Sequence, residues 1–468
     1  MANWTRKAGL IPAVAAFAVV LSGCDLEVLN PGAIQDSDLT TAELMPVLVA
    51  GASAEYNDVG DTYAFDVARL TDEAAGTGSY GSTQDFRTGF YTDQDSEGDW
   101  EQAHEAAWAA GEAWIKVQEF LPDASSQEIS AKLFVYMGQA HMRLGENFCY
   151  LVYDVGPSQP RSAAFDSAKA RFSEGLMIAR AAGSTQWELA SLAGIAQAEV
   201  GLAEHGSGSW AAAATAANAF LSAAGTGWAD FSDNAIYAQG ANTNQVERES
   251  WGRAEVGVYR TLAQAMFDAD ADPRVPYTKC GEWNDLVSPY PDNIPGGVTS
   301  TGNCAGQGSG AHQGADGDHA HYRQDKYQDR GSDIPRSSGF EMRLILAEAA
   351  LNTGPDYTEF ITQINLIRAE LSLPALAAPT AMGVLSFPHD LADMDALAIL
   401  DRERYATLWM TGRRLFDMDR WDHPFVTLTD GTNWITGSTA VASRLRCRPV
   451  ARNECTLNPN LQGDVACG

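Results

Sequence analysis

The middle of the chain, residues 225–335, is rich in Gly, Pro, Asp and Asn and is interrupted by aromatic residues. Indole and phenol rings stack on the C–H faces of sugars, and amide and carboxylate groups form hydrogen bonds with sugar hydroxyls. Long loops of this kind are usually functional. We therefore predict a sugar-binding surface here, with anchoring of the loop as the alternative role of each ring. The residues assigned to this surface are Trp251, Tyr277, Trp283, Asn284, Asp285 and Tyr290.

Trp283 and Tyr290 lie between two cysteines, Cys280 and Cys304. A disulfide between these cysteines would close the loop, destabilise the unfolded chain by about 3 kcal/mol and hold both rings in place for a ligand. The chain has seven cysteines. The six other than Cys24 allow fifteen sets of pairings. We favour Cys280–Cys304 and leave open a bond between Cys149 and a cysteine of the tail.

Carboxylate pairs such as Asp72–Glu73 have the residue types that glycoside hydrolysis needs. With 61 acidic residues, however, neighbouring carboxylates are expected on any solvated surface. The sequence contains no Gly-x-Ser-x-Gly, no His-Glu-x-x-His and no glycine-rich phosphate loop. We therefore predict that the protein is not an enzyme and has no metal or other cofactor. Calcium near Asp316 and Asp318 stays open, because carboxylates at this spacing are possible ligands.

The charge balance limits the kinds of partner. The chain has 31 basic and 61 acidic side chains, and its formal net charge is −30. A negative field of this size repels nucleic acids and anionic lipid surfaces. We therefore predict no nucleic-acid partner and expect a neutral or cationic ligand.

The first 24 residues have the order of a lipoprotein signal. Basic residues at Arg6 and Lys7 are followed by an apolar run and then by Leu-Ser-Gly-Cys, which ends at Cys24. In such signals a peptidase cuts before a cysteine that carries diacylglycerol. The apolar run is shorter than the roughly 20 residues that span a bilayer. We predict a signal peptide at 1–23, lipidation of Cys24, and attachment to the membrane through this anchor only.

Helical periodicity marks two parts of the chain. Apolar residues recur there at three- and four-residue spacing between Gly, Pro and Ser breaks. Ala168–Phe172 and Ala216–Phe220 match the A-x-x-x-F pattern of tetratricopeptide hairpins, in which an aromatic ring fills a groove beside a small residue. The predicted helices are 42–54, 100–121, 130–148, 163–182, 186–204, 209–224, 339–352, 356–371 and 393–411.

These elements predict a mostly α fold, in which a superhelix of tetratricopeptide-like helical hairpins packs against a loop-rich irregular half. Residues 24–468 are expected to form one domain. Its predicted parts are an N-terminal segment with short helices (24–99), the hairpins (100–224), the loop-rich ligand-binding region (225–335), the late helices (336–424) and an irregular tail (425–468).

Motifs in several places, taken in chain order, resemble the SusD/RagB family of outer-membrane nutrient-binding lipoproteins. The short matches are Leu29-Asn30-Pro31-Gly32, Asp272-Pro273-Arg274, Lys326-Tyr327 and Asn458-Pro459-Asn460-Leu461. The longer matches are EMRLILAEA at 341–349, INLIR at 364–368, Glu403-Arg404, and Arg414 with FDMDRW at 416–421. Thr407 and Thr411 stand where the family usually has glutamates, which implies a thinner ion-pair network there.

The resemblance implies a SusD-like fold and a lipid-anchored protein at the cell surface of the outer membrane. It further implies that the chain binds a nutrient, an oligosaccharide or a peptide, and delivers it to a TonB-dependent, SusC-like transporter. Charged residues of the late helices, such as Arg404 and Arg414, are expected to pair in the interior and preserve the fold. The alternatives are a repeat scaffold that binds only proteins and a glycan hydrolase.

Overall fold

Long helices carry most of the chain, as the hydrophobic spacing predicts. The computed structural model describes residues 39–89, 91–240, 242–283, 298–304, 312–317, 319–425 and 445–467. The helices are α1 (Met45–Leu70), α2 (Gly81–Thr88), α3 (Glu97–Phe120), α4 (Glu128–Asn147), α5 (Ser162–Ala182), α6 (Thr185–Glu204), α7 (Trp210–Ala224), α8 (Gln245–Glu247), α9 (Leu262–Asp270), α10 (Gly339–Asn352), α11 (Tyr357–Glu370), α12 (Ala396–Leu408), α13 (Arg414–Arg420) and α14 (Arg452–Leu457).

Short antiparallel strand pairs connect distant parts of the chain. The strands are β1 (Ala75–Gly76), β2 (Tyr150–Leu151), β3 (Gln159–Pro160), β4 (Ser232–Ala235), β5 (Val256–Gly257), β6 (Tyr277–Lys279), β7 (Gly281–Trp283), β8 (Val298–Ser300), β9 (Tyr322–Gln324) and β10 (Ile334–Ser338). They pair as β1 with β5, β2 with β3, β4 with β10, β6 with β9 and β7 with β8. The β1–β5 pair joins the segment after α1 to the loop-rich region.

Consecutive helices from α3 to α7 pack against one another. Phe172 of α5 is fully buried between a glycine of α4 and a glycine of α6. A Cβ on Gly138 would lie 2.6 Å from the ring, and one on Gly194 would lie 2.4 Å from it. The predicted combination of a small residue and an aromatic ring is therefore present at this contact. Phe165, two helical turns before Phe172 on α5, lies similarly close to Gly145 and Gly201.

Helix α1 differs from the short helix that the sequence predicts at 42–54, because it runs on to Leu70. The added turns contain polar residues that resemble a loop in the sequence but are buried and paired here. Asp61 accepts a hydrogen bond from the backbone N–H of Gln245 at 2.9 Å, and the side-chain oxygen of Asn57 accepts one from the backbone N–H of Ile236 at 3.1 Å. Tertiary partners, rather than local amphipathicity, thus extend the helix.

The late helices hold a buried network of ion pairs, as the sequence predicts. Arg404 of α12 binds both oxygens of Asp417 at 2.9 Å. Arg414 binds both oxygens of Asp72, at 2.8 and 2.9 Å, and also binds Asp401. Several of these pairs join α12 and α13 to segments far away in the sequence, such as the one that follows α1.

Two of the late-helix contacts involve the Asp-Pro-Arg motif at 272–274. Glu403 accepts hydrogen bonds from Arg274 at 2.6 Å and from Arg368 at 2.5 Å. Arg274 also donates to the hydroxyl of Thr407 at 3.2 Å. The threonine thus makes a neutral contact at a position where a carboxylate would add an ion pair.

Two disulfides hold the end of the chain. Cys149, which follows α4, is bonded to Cys447, and Cys455 of α14 is bonded to Cys467. The first bond settles the pairing that the sequence leaves open. Residues Thr41–Gly468 form one compact unit.

Candidate ligand-binding site

The β6–β9 pair carries one of the aromatic residues that the sequence assigns to a ligand surface. Tyr277 is half-buried and stacks on Tyr322, with ring centroids 5.6 Å apart and an angle of 10° between the rings. Phe267 of α9 meets Tyr277 edge-on at 5.3 Å, and Tyr259 meets Tyr322 edge-on at 5.1 Å. These four rings form an aromatic group beside α9, in the region where the sequence predicts ligand binding.

Trp251 lies against the opposite face of this strand pair. Its indole N–H donates to the backbone carbonyl of Gln324 at 2.8 Å, and the guanidinium of Arg323 lies 3.6 Å from its ring centroid. One face of the indole is therefore covered by a cation. Such a contact anchors the loop, which is the alternative role that the sequence leaves open for this residue.

A cavity of about 590 Å³ opens beside the aromatic group, between the start of α9 and the segment that contains Phe387 and His389. This volume is typical of a small-molecule site. The side chains in its wall include both hydrogen-bond donors and acceptors, together with aromatic rings. Its lining residues of most chemical interest are Tyr259, Arg260, Gln264, Asp268, Phe387 and His389.

A chain of hydrogen bonds fixes the polar wall of the cavity. The backbone N–H of Arg260 donates to the Gln264 side-chain oxygen at 2.7 Å, and the Gln264 amide donates to Asp268 at 3.2 Å. The hydroxyl of Tyr277 donates to the other oxygen of Asp268 at 2.6 Å. Burial and the carboxylate of Asp268 raise the pKa of Tyr277, so the phenol remains a donor.

Arg260 has a backbone conformation that is rare for a residue with a side chain. Its φ is +61°, in the left-handed region, which costs on the order of 1–3 kcal/mol and is often found at binding sites. The Arg260 guanidinium lies 5.2 Å from the ring centroid of Tyr259. The strained turn thus places a cation and a phenol next to each other at the cavity wall.

Asp72 and His389 form the deep end of the cavity wall and belong to the buried ion-pair network. His389 lies between two carboxylates, with Nε2 2.7 Å from Asp72 and Nδ1 3.2 Å from Asp401. Burial by itself lowers the pKa of His389, but hydrogen bonds with Asp401 and Asp72 outweigh this effect. The net result is a rise in the pKa from 6.5 to about 9. His389 is therefore a cation at neutral pH, and both of its nitrogens are occupied.

Asp72, His389 and His423 are close enough together for a metal ion, but their hydrogen bonds argue against one. The backbone N–H of Phe425 donates to Nδ1 of His423 at 3.1 Å, so the lone pair of this nitrogen is already used, and Nε2 lies 3.6 Å from Asp401. Arg414 already binds both oxygens of Asp72. The cluster is therefore arranged for ion pairing rather than for metal coordination.

Three of the carboxylates considered from the sequence, Asp72, Glu73 and Asp316, make contacts within the protein. Asp72 and Glu73 are both 1% exposed, and Glu73 accepts a hydrogen bond from the backbone N–H of Met410 at 2.7 Å. Asp316 lies 2.6 Å from Nδ1 of His319 and 3.3 Å from the guanidinium of Arg87. Asp318 is outside the described residues.

The remaining predicted ligand residues fall at or beyond the edge of the described chain. Trp283 is described only as the last residue of β7, while Asn284, Asp285 and Tyr290 lie outside the described residues. Cys280 and Cys304 are joined by a disulfide, which is the pairing that the sequence favours. The disulfide connects the start of β7 to the segment after β8.

Sequence reasoning missed Tyr259, Arg260, Gln264 and Asp268. A local signal for them exists, since Thr261 and Gln264 have the Thr-x-x-Gln spacing that marks the start of a helix. Indeed the Thr261 hydroxyl accepts a hydrogen bond from the backbone N–H of Gln264 and begins α9. A helix predicted to begin at Thr261 places Gln264 and Asp268 on the same face, one turn apart.

A family model described as the SusD family matches residues 193–458, which is more than half of the chain. The chain belongs to the SusD family. The matched residues include the Asp-Pro-Arg motif, α10, α12 and α13, so the ion-pair network lies largely within the family match. A search of curated proteins returned no significant match.

Solved SusD-family structures have the same fold as this chain. A SusD homologue from Bacteroides thetaiotaomicron has a TM-score of 0.63 and 12% identity, covering 91% of this chain and 97% of its own. NanU of Bacteroides fragilis has a TM-score of 0.61 and 13% identity, covering 91% and 97%. A chitin-binding protein has a TM-score of 0.60 and 15% identity, covering 89% and 96%. Within the part of the chain that the structure describes, no helix is both long and apolar enough to cross a membrane.

Proposed function

We propose that this SusD-family protein binds an oligosaccharide in the 590 Å³ cavity beside Tyr259. The observation that carries the proposal is the hydrogen-bonded wall of Arg260, Gln264 and Asp268 next to aromatic rings. The wall offers donors and acceptors for hydroxyl groups, and the rings offer flat apolar surfaces for sugar faces. Family membership and the chitin-binding structural relative support the same class of ligand.

The polar wall is organised before a ligand arrives. Asp268 is held by Gln264 and Tyr277, and Gln264 is held by the backbone of Arg260. A ligand therefore meets side chains that have already lost rotamer freedom, which lowers the entropic cost of binding. Trp283, Asn284, Asp285 and Tyr290 remain proposed contributors, because the disulfide between Cys280 and Cys304 joins their loop to the same strands.

Binding assays of the purified chain with neutral glycans, chitin oligosaccharides and peptides test this proposal. Tyr259→Ala should weaken glycan binding by about 1–3 kcal/mol, as loss of a stacked aromatic ring does elsewhere. Trp108→Ala is the matched control, because this tryptophan is 64% exposed on α3 and is not part of the cavity wall. Equal affinities of the two variants and the parent would contradict the assigned site.

A second part of the proposal concerns attachment to the outer membrane through a lipid on Cys24. The signal-like residues 1–24 support it, although they lie outside the described residues. Cys24→Ala should move the protein from the membrane fraction to the soluble fraction. If the variant stays with the membranes, the proposed anchor is wrong.

A third part is delivery of the ligand to a TonB-dependent, SusC-like transporter at the cell surface. A protein held only by a lipid cannot itself move a solute across the membrane, so uptake requires a channel partner. Purification in mild detergent should recover such a transporter together with this chain. Repeated recovery of the chain alone would favour the repeat scaffold that binds other proteins.

A further inference from the structure

A second, smaller cavity of about 260 Å³ lies away from the proposed ligand site, between β10, the start of α10 and the end of α12. We call it the arginine cavity. Its wall combines three basic side chains with two carboxylates, hydroxyl groups and two aromatic rings. The residues that matter for its chemistry are Lys326, Arg336, Arg413, Ser337, Thr411 and Phe340.

Arg336 is a buried cation that lacks a counter-anion. It is 3% exposed, and no carboxylate among the described residues lies within ion-pair distance of it. One nitrogen, Nη2, donates to the backbone carbonyl of Tyr56, whereas Nη1 has no hydrogen-bond partner within the described ranges. Burial without a counter-charge lowers the pKa of Arg336 well below its usual value.

Arg413 forms ion pairs, but some of its N–H donors make no hydrogen bond within the described chain. Its Nη2 lies 2.7 Å from Glu146 and 3.0 Å from Glu341, while Nε and Nη1 have no partner in the described chain. Burial lowers the pKa of Arg413, but the carboxylates of Glu146 and Glu341 raise it more. Ser337, which is 1% exposed, also has a hydroxyl without a partner.

Among the described residues, the ion pairs around this cavity leave Arg336 without a carboxylate. Glu146 is shared between Arg413 and Arg143, which lies 2.9 Å from it, and Glu341 also accepts a hydrogen bond from Gln197 at 2.6 Å. Glu146 and Glu341 thus pair with Arg143 and Arg413 but not with Arg336, and Asp230, a further carboxylate that lines the cavity, is exposed. Lys326 adds a fourth basic group, whose Nζ donates to the carbonyl of Trp409. A buried charge without a partner is costly, and water satisfies its hydrogen bonds without neutralising it.

We propose that the arginine cavity binds a small oxyanion, a carboxylate or phosphate group, which pairs with Arg336 and Arg413. Guanidinium groups match the geometry of such oxyanions and form charge-assisted hydrogen bonds with them. This site is separate from the sugar cavity and does not depend on its assignment. It also gives an acidic protein a local positive potential in its interior.

The test uses a carboxylate placed in the cavity wall by mutation. Thr411 is 5% exposed and lines the cavity, so Thr411→Glu supplies an internal counter-anion, and Thr411→Gln is the matched neutral control. Calorimetric titration of the full chain with inorganic phosphate, at constant ionic strength, should show binding by the parent and by Thr411→Gln. The affinity of Thr411→Glu should be lower by at least about tenfold, because the new carboxylate competes with and repels the anion.

Acetate and sulfate titrations distinguish a carboxylate site from one for tetrahedral anions, and chloride measures the general effect of salt. The proposal is overturned if none of the three oxyanions binds more strongly than chloride. It is equally overturned if Thr411→Glu and Thr411→Gln bind phosphate alike. Should Thr411→Glu fail to fold, Arg336→Met provides the second test, since it must abolish phosphate binding while Arg343→Met, outside the cavity wall, must not.

Discussion

The helices α3–α7 and the late helices α10–α13 both pack through apolar side chains, but the late helices also contain most of the buried ion pairs described above. Among α3–α7, phenylalanine rings fill gaps that only glycines leave, as Phe172 does between Gly138 and Gly194. Among the late helices, buried arginines meet carboxylates from distant segments, as Arg414 does with Asp72. Apolar packing can be predicted from the local sequence, whereas the role of a buried charge depends on a partner that lies elsewhere in the chain.

The difference also explains where the binding chemistry lies. The proposed sugar cavity lies between the loop-rich region and the segment that joins α11 to α12, and the arginine cavity lies between the loop-rich region, α10 and α12. These regions already contain polar side chains that are fixed by hydrogen bonds, so they can present donors and acceptors to a ligand. The apolar contacts among α3–α7 supply a rigid support instead.

The largest effect is expected from breaking the charge network. Arg414→Met removes the guanidinium that binds both Asp72 and Asp401 and leaves His389 as the cation between them, and we expect a loss of about 3–5 kcal/mol in the free energy of unfolding. Denaturant unfolding measures this loss. Arg171→Met is the control, because its pair with Glu174 is 42% exposed on both sides and should change stability by less than about 1 kcal/mol. Equal losses in the two variants would show that the buried network contributes no more than a surface pair.

A smaller effect is expected from filling a glycine contact among α3–α7. Gly194→Ala places a Cβ 2.4 Å from Phe172, and the resulting overpacking should cost about 1–3 kcal/mol. Gly111→Ala on α3 is the matched control, since the nearest atom there is the sulfur of Met137 at 3.9 Å. Alanine in an open helical position should stabilise by up to about 1 kcal/mol. Two variants with effects of the same sign would contradict the role of the close contact.

The sequence predicts α3–α7 and α10–α12 well, because each has a local apolar stripe, but it predicts no helix at α9, α13 or α14. It also predicts that Arg404, Arg414 and Asp417 are paired, although it does not identify most of their partners. It misses most of α1, whose buried polar residues, such as Asp61, have partners far along the chain. Local periodicity cannot show such contacts.

The candidate site is harder to predict for the same reason. Tyr277 can be chosen from its type and its surroundings in the sequence, but its role depends on Asp268 and Tyr322, which the fold brings to it. Trp251 has the same composition signal, yet Arg323 covers one face of its ring. Residue type therefore identifies the region, and tertiary contacts decide which ring is available.

The smallest predicted effect is the pH dependence of the late-helix ion-pair network at His389. Its folded-state pKa of about 9 lies above the ordinary value of 6.5, because Asp72 and Asp401 hold the imidazolium despite burial. The stability that this cation contributes is complete below pH 6.5 and is lost as the pH rises toward 9. The difference in unfolding free energy between the parent and His389→Gln should fall by about 1 kcal/mol from roughly pH 6.5 to pH 7.5. Paired denaturation curves across this range measure it, and the comparison with the variant removes the contribution of other titrating groups, such as Glu73, whose pKa burial raises to about 8. If the difference in unfolding free energy stays constant across the range, His389 is neutral between the two carboxylates. Arg414 is then the only cation that stabilises Asp72 and Asp401.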